Sequence, residues 1–243
     1  MENKKTAQEA VKEINKGKNS EKAKILSYFF KTGPGQYGEG DFFLGITVPV
    51  LRKTAKEFIG LPLNEIKILL DNKYHEVRMV ALAILVANYN KAKNDQERKK
   101  IFKFYLANAK KINNWDLVDL TAPNIIGDYC VRYPENLDLL RKMAQAKNLW
   151  QRRIAILATF AFIKKGSNQE VFEFAEMLLN DQEDLMHKAV GWMLRESGKR
   201  VSVKDLENFL KKNIKKMPRT TLRYAIEHFA EEKRKEYLKM PIK

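Results

Sequence analysis

The sequence predicts an all-α fold, and three observations support this prediction. Apolar residues recur every three or four positions, as they do on the buried face of an amphipathic helix. The chain of 243 residues contains only 11 glycines and 7 prolines, whereas Ala, Leu, Lys and Glu, which favour helix, are abundant. The alternation of polar and apolar residues that is typical of strands is almost absent.

Turn signals divide the chain into segments of helical length. They are rich in Gly, Pro, Asn and Ser, and they include "NKGKNS" (15–20), "TGPGQYGEGD" (32–41), "RYPEN" (132–136) and "SGKRVS" (197–202). A hydrophobic content of 44% is sufficient for a packed core. We therefore expect a folded chain of many short helices.

Five of these segments align on their small and apolar positions. They are "EVRMVALAIL" (76–85), "LVDLTAPNII" (117–126), "QRRIAILATF" (151–160), "MHKAVGWMLR" (186–195) and "TLRYAIEHFA" (221–230). Their third residues are separated by 41, 34, 35 and 35 positions. Such a period is typical of stacked helix pairs. We predict a right-handed α-solenoid of HEAT- or armadillo-like repeats with a basic concave groove, which forms a single domain over residues 1–243.

The charge of the chain indicates a polyanionic partner. The formal net charge is +16 and the sequence pI is about 9.7. The third residues of the repeats are Arg78, Asp119, Arg153, Lys188 and Arg223. Because equivalent residues of a solenoid line one face, the four cations predict a track for the phosphates of a nucleic acid. Solvent-exposed helix charge is the alternative for Arg78, Lys188 and Arg223.

Several classes of protein are disfavoured by the composition. A single cysteine excludes an intrachain disulfide framework and agrees with a reducing compartment. The three histidines are scattered, so no spacing typical of metal ligands occurs. No apolar run has the length that a membrane span needs. We expect a cytoplasmic monomer, associated with the nucleoid in a bacterium, that needs no metal or cofactor and does not bind membranes.

The segment "KINNWDLVDLTAPNIIGDYC" (111–130) carries the clearest chemical signal. Trp115 and Asp119 are four residues apart and therefore share one face of a helix. An aromatic ring beside a carboxylate can hold a sugar while the carboxylate stabilises an oxocarbenium-like state. The alternative for Asp119 is an internal ion pair with Arg153. We expect Asp116 to stabilise the helix start, and Pro123 to bend the helix beyond Asp119.

Several ordered blocks resemble the AlkD-type family of DNA alkylation repair enzymes. These blocks are "FFLGITVPVLRK" (42–53), "NNWDLVDLTAPNIIGD" (113–128), "NLWQRRIAIL" (148–157), "HKAVGWMLRE" (187–196) and "RTTLRYAIE" (219–227). The resemblance implies HEAT-like repeats that cradle duplex DNA. It also implies a glycosylase that excises positively charged alkylpurines, such as 3-methyladenine and 7-methylguanine, without obligatory base flipping.

The resemblance also implies roles for individual residues. Asp119 corresponds to the catalytic carboxylate, and Trp115 and Trp192 correspond to the tryptophans that contact the deoxyribose. Arg153 corresponds to a DNA-contacting arginine. Tyr28 corresponds to an N-terminal aromatic residue near the lesion.

One segment departs from the pattern of the active members. "KTGPGQYGEGDFF" (31–43) is longer and richer in glycine than their corresponding connection. It is either a DNA contact or an ordered turn, and Glu39 and Asp41 are expected to repel phosphates. Because some relatives with an added element bind DNA without excising bases, a catalytically silent protein that binds damaged, bent or branched DNA is the second hypothesis. A protein-binding scaffold is the third, and the net charge disfavours it.

Overall fold

The computed structural model describes residues 5–241, and every regular element in that range is helical. The β contacts of that range are confined to one isolated bridge between Phe42 and Tyr74. The all-α prediction is therefore confirmed. The chain divides into two compact units, the first ending at Thr121 and the second beginning at Ala122. The expected single domain over residues 1–243 stays a prediction.

The first unit is built around one long helix, α5, which packs against α3 and α4. Side chains on almost all sides of α5 are buried, as in a helix that other elements surround. The helices of this unit are α1 (Ala7–Asn15), α2 (Ser20–Phe29), α3 (Val48–Glu57), α4 (Leu63–Leu70), α5 (His75–Lys91), α6 (Asp95–Ala107), a 3₁₀ turn (Ala109–Lys111) and α7 (Trp115–Thr121).

The second unit is organised around α10 and α13, and its closest helix pair is α13 with α15. Gly191 of α13 permits this approach, since a Cβ there would lie 2.6 Å from the carbonyl oxygen of Thr221. The helices are α8 (Asp128–Arg132), α9 (Leu137–Ala144), α10 (Leu149–Ala158), α11 (Phe160–Ile163), α12 (Gln169–Leu178), α13 (Asp184–Arg200), α14 (Val203–Asn213), α15 (Arg219–Ala225) and α16 (Glu231–Lys239), with 3₁₀ turns at Pro134–Asn136 and Ile214–Lys216.

Some turn signals of the sequence contain the residue that caps the next helix. Asn19 accepts a hydrogen bond from the backbone N–H of Lys22 at 2.9 Å and so satisfies a donor that α2 leaves open. The turn signal at 197–202 predicts a helix end before residue 197, but α13 continues to Arg200. Gly198 lies within this last turn, where its missing Cβ leaves room for a side chain of α14.

Pro123 lies in a π-helical segment, Ala122–Gly127, that follows α7 directly. A proline lacks the N–H that an α-helix requires, and the wider π turn is one way in which a helix accommodates such a defect. The irregularity that the sequence predicts beyond Asp119 therefore takes the form of a π segment.

The five aligned sequence segments correspond to equivalent positions in five helices. Arg78 is the fourth residue of α5. The other four are each the fifth residue of their helix, namely Asp119 of α7, Arg153 of α10, Lys188 of α13 and Arg223 of α15. The sequence period is thus a period in helix register.

Candidate functional site

Trp115 and Asp119 lie on α7, with Trp115 as its first residue and Asp119 one turn later. Both side chains are partly exposed, while Leu117 and Val118 between them are fully buried. The helix therefore presents the indole and the carboxylate together on its less buried side. The arrangement agrees with the spacing that the sequence shows.

The indole of Trp115 is held in a continuous stack of rings. Its ring lies 5.2 Å from that of Phe30 at 13°, and Phe30 lies 4.9 Å from Phe43 at 23°. The imidazole of His75 closes the stack, 4.7 Å from Phe43 at 24°. Phe29 packs edge-on against the indole at 6.0 Å. Such offset and edge contacts are favourable, and they fix the orientation of the indole.

His75 also belongs to a buried charged cluster beside these rings. His75 Nδ1 is 3.1 Å from Asp41 Oδ2, and His75 Nε2 is 2.8 Å from Asp116 Oδ2. Arg78 Nη2 donates to Asp41 Oδ1 at 2.5 Å, and Asn114 Nδ2 donates to Asp41 Oδ2 at 3.1 Å. The cluster connects the end of the glycine-rich segment 31–43 with the starts of α5 and α7.

The pKa values of this cluster favour the charged forms. Burial lowers the pKa of His75, but its hydrogen bonds to Asp116 and Asp41 outweigh burial and raise the pKa to about 9. Burial raises the pKa of Asp41, but His75, Arg78 and Asn114 together lower it below its ordinary value. At neutral pH, His75 is therefore an imidazolium that donates to two carboxylates.

Asp116 and Asn114 accept backbone N–H groups at the start of α7, a position that the sequence predicts for Asp116. Asn114 Oδ1 accepts the N–H of Trp115 at 2.9 Å, and Asp116 Oδ1 accepts the N–H of Leu117 at 2.9 Å. Asp116 also contacts His75, which the sequence does not indicate. Asp116 thus bonds a backbone N–H at the start of α7 with one oxygen and His75 with the other.

Burial, to a greater extent than any other influence, raises the pKa of Tyr105, whose hydroxyl lies 2.9 Å from Thr121 Oγ1. The bond to Thr121 lowers this pKa, and the negative charge of Asp119 raises it. The charge of Asp119 therefore acts on a buried hydroxyl of the first unit.

The helix α2 presents an aromatic surface. Tyr28 is 89% exposed, Ile25 67% and Phe29 59%, and no residue of α2 is buried. These three side chains line an open cleft of about 580 Å³ together with Lys31. Tyr28 is accessible to a partner, and its neighbour Phe29 contacts Trp115.

The glycine-rich segment 31–43 is an ordered turn. Gly38 N–H donates to Lys31 O at 3.1 Å, and Gly35 N–H donates to Glu39 Oε2 at 2.8 Å. Asp41 is only 6% exposed and its charge is paired within the cluster. The expectation that Asp41 repels phosphates is therefore wrong, because its charge does not face solvent. Glu39 remains exposed.

Two of the four track cations are buried. Arg78 is 7% exposed and paired with Asp41, and its Nε is buried without a hydrogen-bond partner. Arg153 is 5% exposed and donates from Nη1 to Leu185 O at 2.7 Å. Arg152, which the sequence separates from Arg153 by about 100° of helix, donates elsewhere, to Asp181 at 2.6 Å.

The other two track cations are accessible. Lys188 is half-exposed and lies 2.6 Å from Asp184 one turn earlier. Arg223 is exposed and lines a cavity of about 340 Å³ that contains Arg195, Tyr224, Glu227 and Arg234 as well. Three arginines and one glutamate give this cavity a positive charge that suits an anion.

Trp192 lies on α13 and is partly exposed, whereas its neighbours Val190 and Met193 are buried. Its indole is therefore accessible from the surface of the second unit. Trp150 is buried, at 8% exposure, and belongs to the core, as the apolar stripe in the sequence indicates.

The sequence does not reveal the contacts of the charged cluster, or the rings that hold the indole of Trp115. Asp41, His75 and Asp116 lie 34 and 41 positions apart, and nothing in this spacing is typical of a site. The two Phe-Phe pairs, at 29–30 and 42–43, are the available signal. The first pair directly precedes the glycine-rich segment and the second pair ends it, so paired aromatic residues around a turn are a signal for these ring contacts.

Within residues 5–241, no group of three His, Cys, Asp or Glu side chains is arranged to hold a metal ion. Across the same described range, none of the helices combines the length and the apolar character that crossing a bilayer requires.

Comparison with known protein families gives one match. A sequence profile of the family described as "DNA alkylation repair enzyme" matches residues 10–229. No curated protein matches the chain.

Solved structures show the same fold. A structure described as "Predicted DNA alkylation repair enzyme from Enterococcus faecalis" is 20% identical, with a TM-score of 0.70 over 88% of this chain and 97% of the other. AlkD2 from Streptococcus mutans is 18% identical, with a TM-score of 0.53 over 93% of this chain and 100% of the other. Because AlkD-type proteins are built of helical repeats, this likeness confirms the predicted fold class.

Proposed function

Because the chain belongs to the family of DNA alkylation repair enzymes, we propose that it is a glycosylase for positively charged alkylpurines in duplex DNA. The observation that carries this proposal is the pairing of Asp119 with an oriented indole on one helix. The indole of Trp115 supplies a face for the deoxyribose, and the carboxylate supplies a negative charge beside it.

In the proposed reaction, the bond between C1′ and the purine nitrogen breaks, and the base leaves with the bonding electron pair. A cationic alkylpurine becomes neutral as it leaves, so no strong general acid is needed. The carboxylate of Asp119 stabilises the positive charge that develops on the sugar and orients water. The water oxygen then bonds to C1′, and the water proton passes to solvent. The base does not need to be flipped into a pocket.

Binding is assigned to side chains that the structure leaves accessible. Tyr28 of α2 supplies an aromatic face near the lesion. Trp192 of α13 supplies an aromatic face for the deoxyribose. Lys188 and Arg223 contact phosphates. Arg78 and Arg153 are buried, so we assign them to supporting the elements that carry these contacts. A basic concave groove for the duplex is part of this proposal.

The test is the release of 7-methylguanine from alkylated duplex DNA by the purified protein and by Asp119→Asn. We expect release by the wild type and a loss of at least about a hundred-fold in the variant, because one electrostatic stabiliser is removed. Asp95→Asn, which changes a carboxylate that is 69% exposed on the same unit, is the matched control and should retain the wild-type rate.

A catalytically silent DNA-binding protein is the second candidate. The ordered turn at 31–43, beside the exposed aromatic surface of α2, favours it. Tight binding to alkylated or branched duplex without base release, in the wild type and in Asp119→Asn alike, would select this function and exclude the glycosylase.

A further inference from the structure

We propose that His75 is a positioning residue, which holds the indole of Trp115 in place through its bonds to Asp41 and Asp116. This inference rests on the proposed function, since that function gives the indole its task. In this proposal, the buried charged cluster determines the position of the accessible indole of Trp115.

The first connection runs through the start of α7. His75 Nε2 bonds Asp116 Oδ2 at 2.8 Å, and the other oxygen of Asp116 accepts the N–H of Leu117 at 2.9 Å. Asp116 directly follows Trp115 in the chain. Because a helix of seven residues is not stable by itself, its first turn depends on such contacts.

The second connection runs through the rings. Phe30 lies between the imidazole and the indole, with ring centroids 5.0 Å from His75 and 5.2 Å from Trp115, and Phe43 packs against both His75 and Phe30. A close-packed interior leaves no slack in such a series. A change in the imidazole is therefore transmitted to the indole.

His75 acts through Trp115, since it cannot meet the substrate itself. It is 2% exposed, and both of its ring nitrogens face carboxylate oxygens. The charged groups around it are Asp41 of the glycine-rich segment and Asp116 of α7. From its own helix, Arg78 faces Asp41, and Glu76 is turned towards backbone N–H groups. The rings of Phe30 and Phe43, which pack against His75, are uncharged.

The protonation state of His75 supplies a readout that a purely structural role would lack. The full chain, labelled with 5-fluorotryptophan, gives ¹⁹F resonances for its three tryptophans, and Trp115→Phe identifies that of Trp115. We expect this resonance to shift with pH with a midpoint near 9, because His75 titrates there. Circular dichroism at each pH verifies that the protein stays folded.

Three variants test the assignment. Asp116→Asn should move the midpoint to lower pH, because one carboxylate that stabilises the imidazolium is removed. His75→Asn should abolish the titration of the Trp115 resonance and slow base release roughly ten-fold, since small misplacements cost one to two orders of magnitude in rate. His228→Asn, which changes an exposed histidine, should leave both unchanged. If His75→Asn does not fold, Asp116→Asn carries the test.

A Trp115 resonance that is independent of pH in the folded protein would overturn the proposal, as would an unchanged midpoint in Asp116→Asn. The outcome is separable from that of the proposed function. A wild type that releases no base, but whose Trp115 resonance follows His75, would refute the glycosylase and leave the positioning of the indole by His75 supported.

Discussion

The carboxylate of Glu76 accepts the backbone N–H of Gly45 at 2.8 Å, and it accepts those of Leu44 and Ile46 as well. Gly45 has a φ of 83°, and a Cβ there would lie 2.0 Å from the carbonyl oxygen of Asn19. The single buried side chain of Glu76 thus satisfies three backbone N–H groups that lie outside the helices and have no helical hydrogen bond. It fastens the end of the glycine-rich segment to α5, next to the charged cluster.

Glu76→Gln should therefore destabilise the protein. The amide keeps one acceptor oxygen, but it loses the charge and directs an NH₂ group at backbone donors. We expect a loss of about 3 kcal/mol in the free energy of unfolding, measured by urea denaturation. Glu57→Gln, an exposed glutamate of the same unit, is the control and should cost less than about 0.5 kcal/mol. Equal effects of the two substitutions would contradict the role of Glu76.

Gly191→Ala tests the close approach of α13 and α15. The added methyl group would lie 2.5 Å from Tyr224 Cβ and 2.6 Å from Thr221 O, so the two helices must separate. We expect a loss of about 2 kcal/mol or more in stability. Gly17→Ala, whose methyl group would approach other atoms no closer than 3.4 Å, should be nearly neutral. A neutral Gly191→Ala would mean that the helices tolerate a wider spacing.

The stability of the protein should depend on pH through His75. Its pKa rises from an ordinary value of 6.5 to about 9 on folding, so its contribution is complete below pH 6.5 and is lost as pH rises towards 9. We expect the free energy of unfolding to fall by roughly 3 kcal/mol across this window. The lowered pKa of Asp41 acts in the opposite sense, and its contribution is lost only when the pH falls below the ordinary value of 3.8.

Urea denaturation at several pH values between about 6 and 9.5 measures this dependence. Asp116→Asn should flatten the profile, since its loss reduces the pKa shift of His75. A wild-type profile that is level through this range would show that folding does not raise the pKa of His75.

The accessible cations should govern the dependence of DNA binding on salt. Lys188→Ala and Arg223→Ala should each reduce the slope of log affinity against log salt concentration by about one unit, because each removes one phosphate contact. Lys212→Ala is the matched control, since Lys212 is exposed on α14 and pairs with Glu176. Its slope should equal that of the wild type. If one of these substitutions leaves the slope unchanged, the substituted residue does not contact a phosphate.

The helix register of the repeats can be predicted from the sequence. A period of 34 to 41 residues places Arg78, Asp119, Arg153, Lys188 and Arg223 at the fourth or fifth position of their helices. Helix geometry is local, so spacing along the chain determines which residues share a face. For the same reason, the sequence places Trp115 and Asp119 together on one side of α7.

Only the tertiary structure decides which of these equivalent residues meet solvent. Arg78 and Arg223 occupy similar positions in their helices, yet Arg78 is buried against Asp41 and Arg223 is exposed. Burial depends on what packs against a helix, which its own periodicity does not encode. The contacts of His75 with Asp41 and Asp116 likewise join segments that are distant in the chain. The hydrogen bonds and the charge attraction between the imidazolium and the two carboxylates outweigh the cost of burying these groups, and they act only once the fold has brought the groups together.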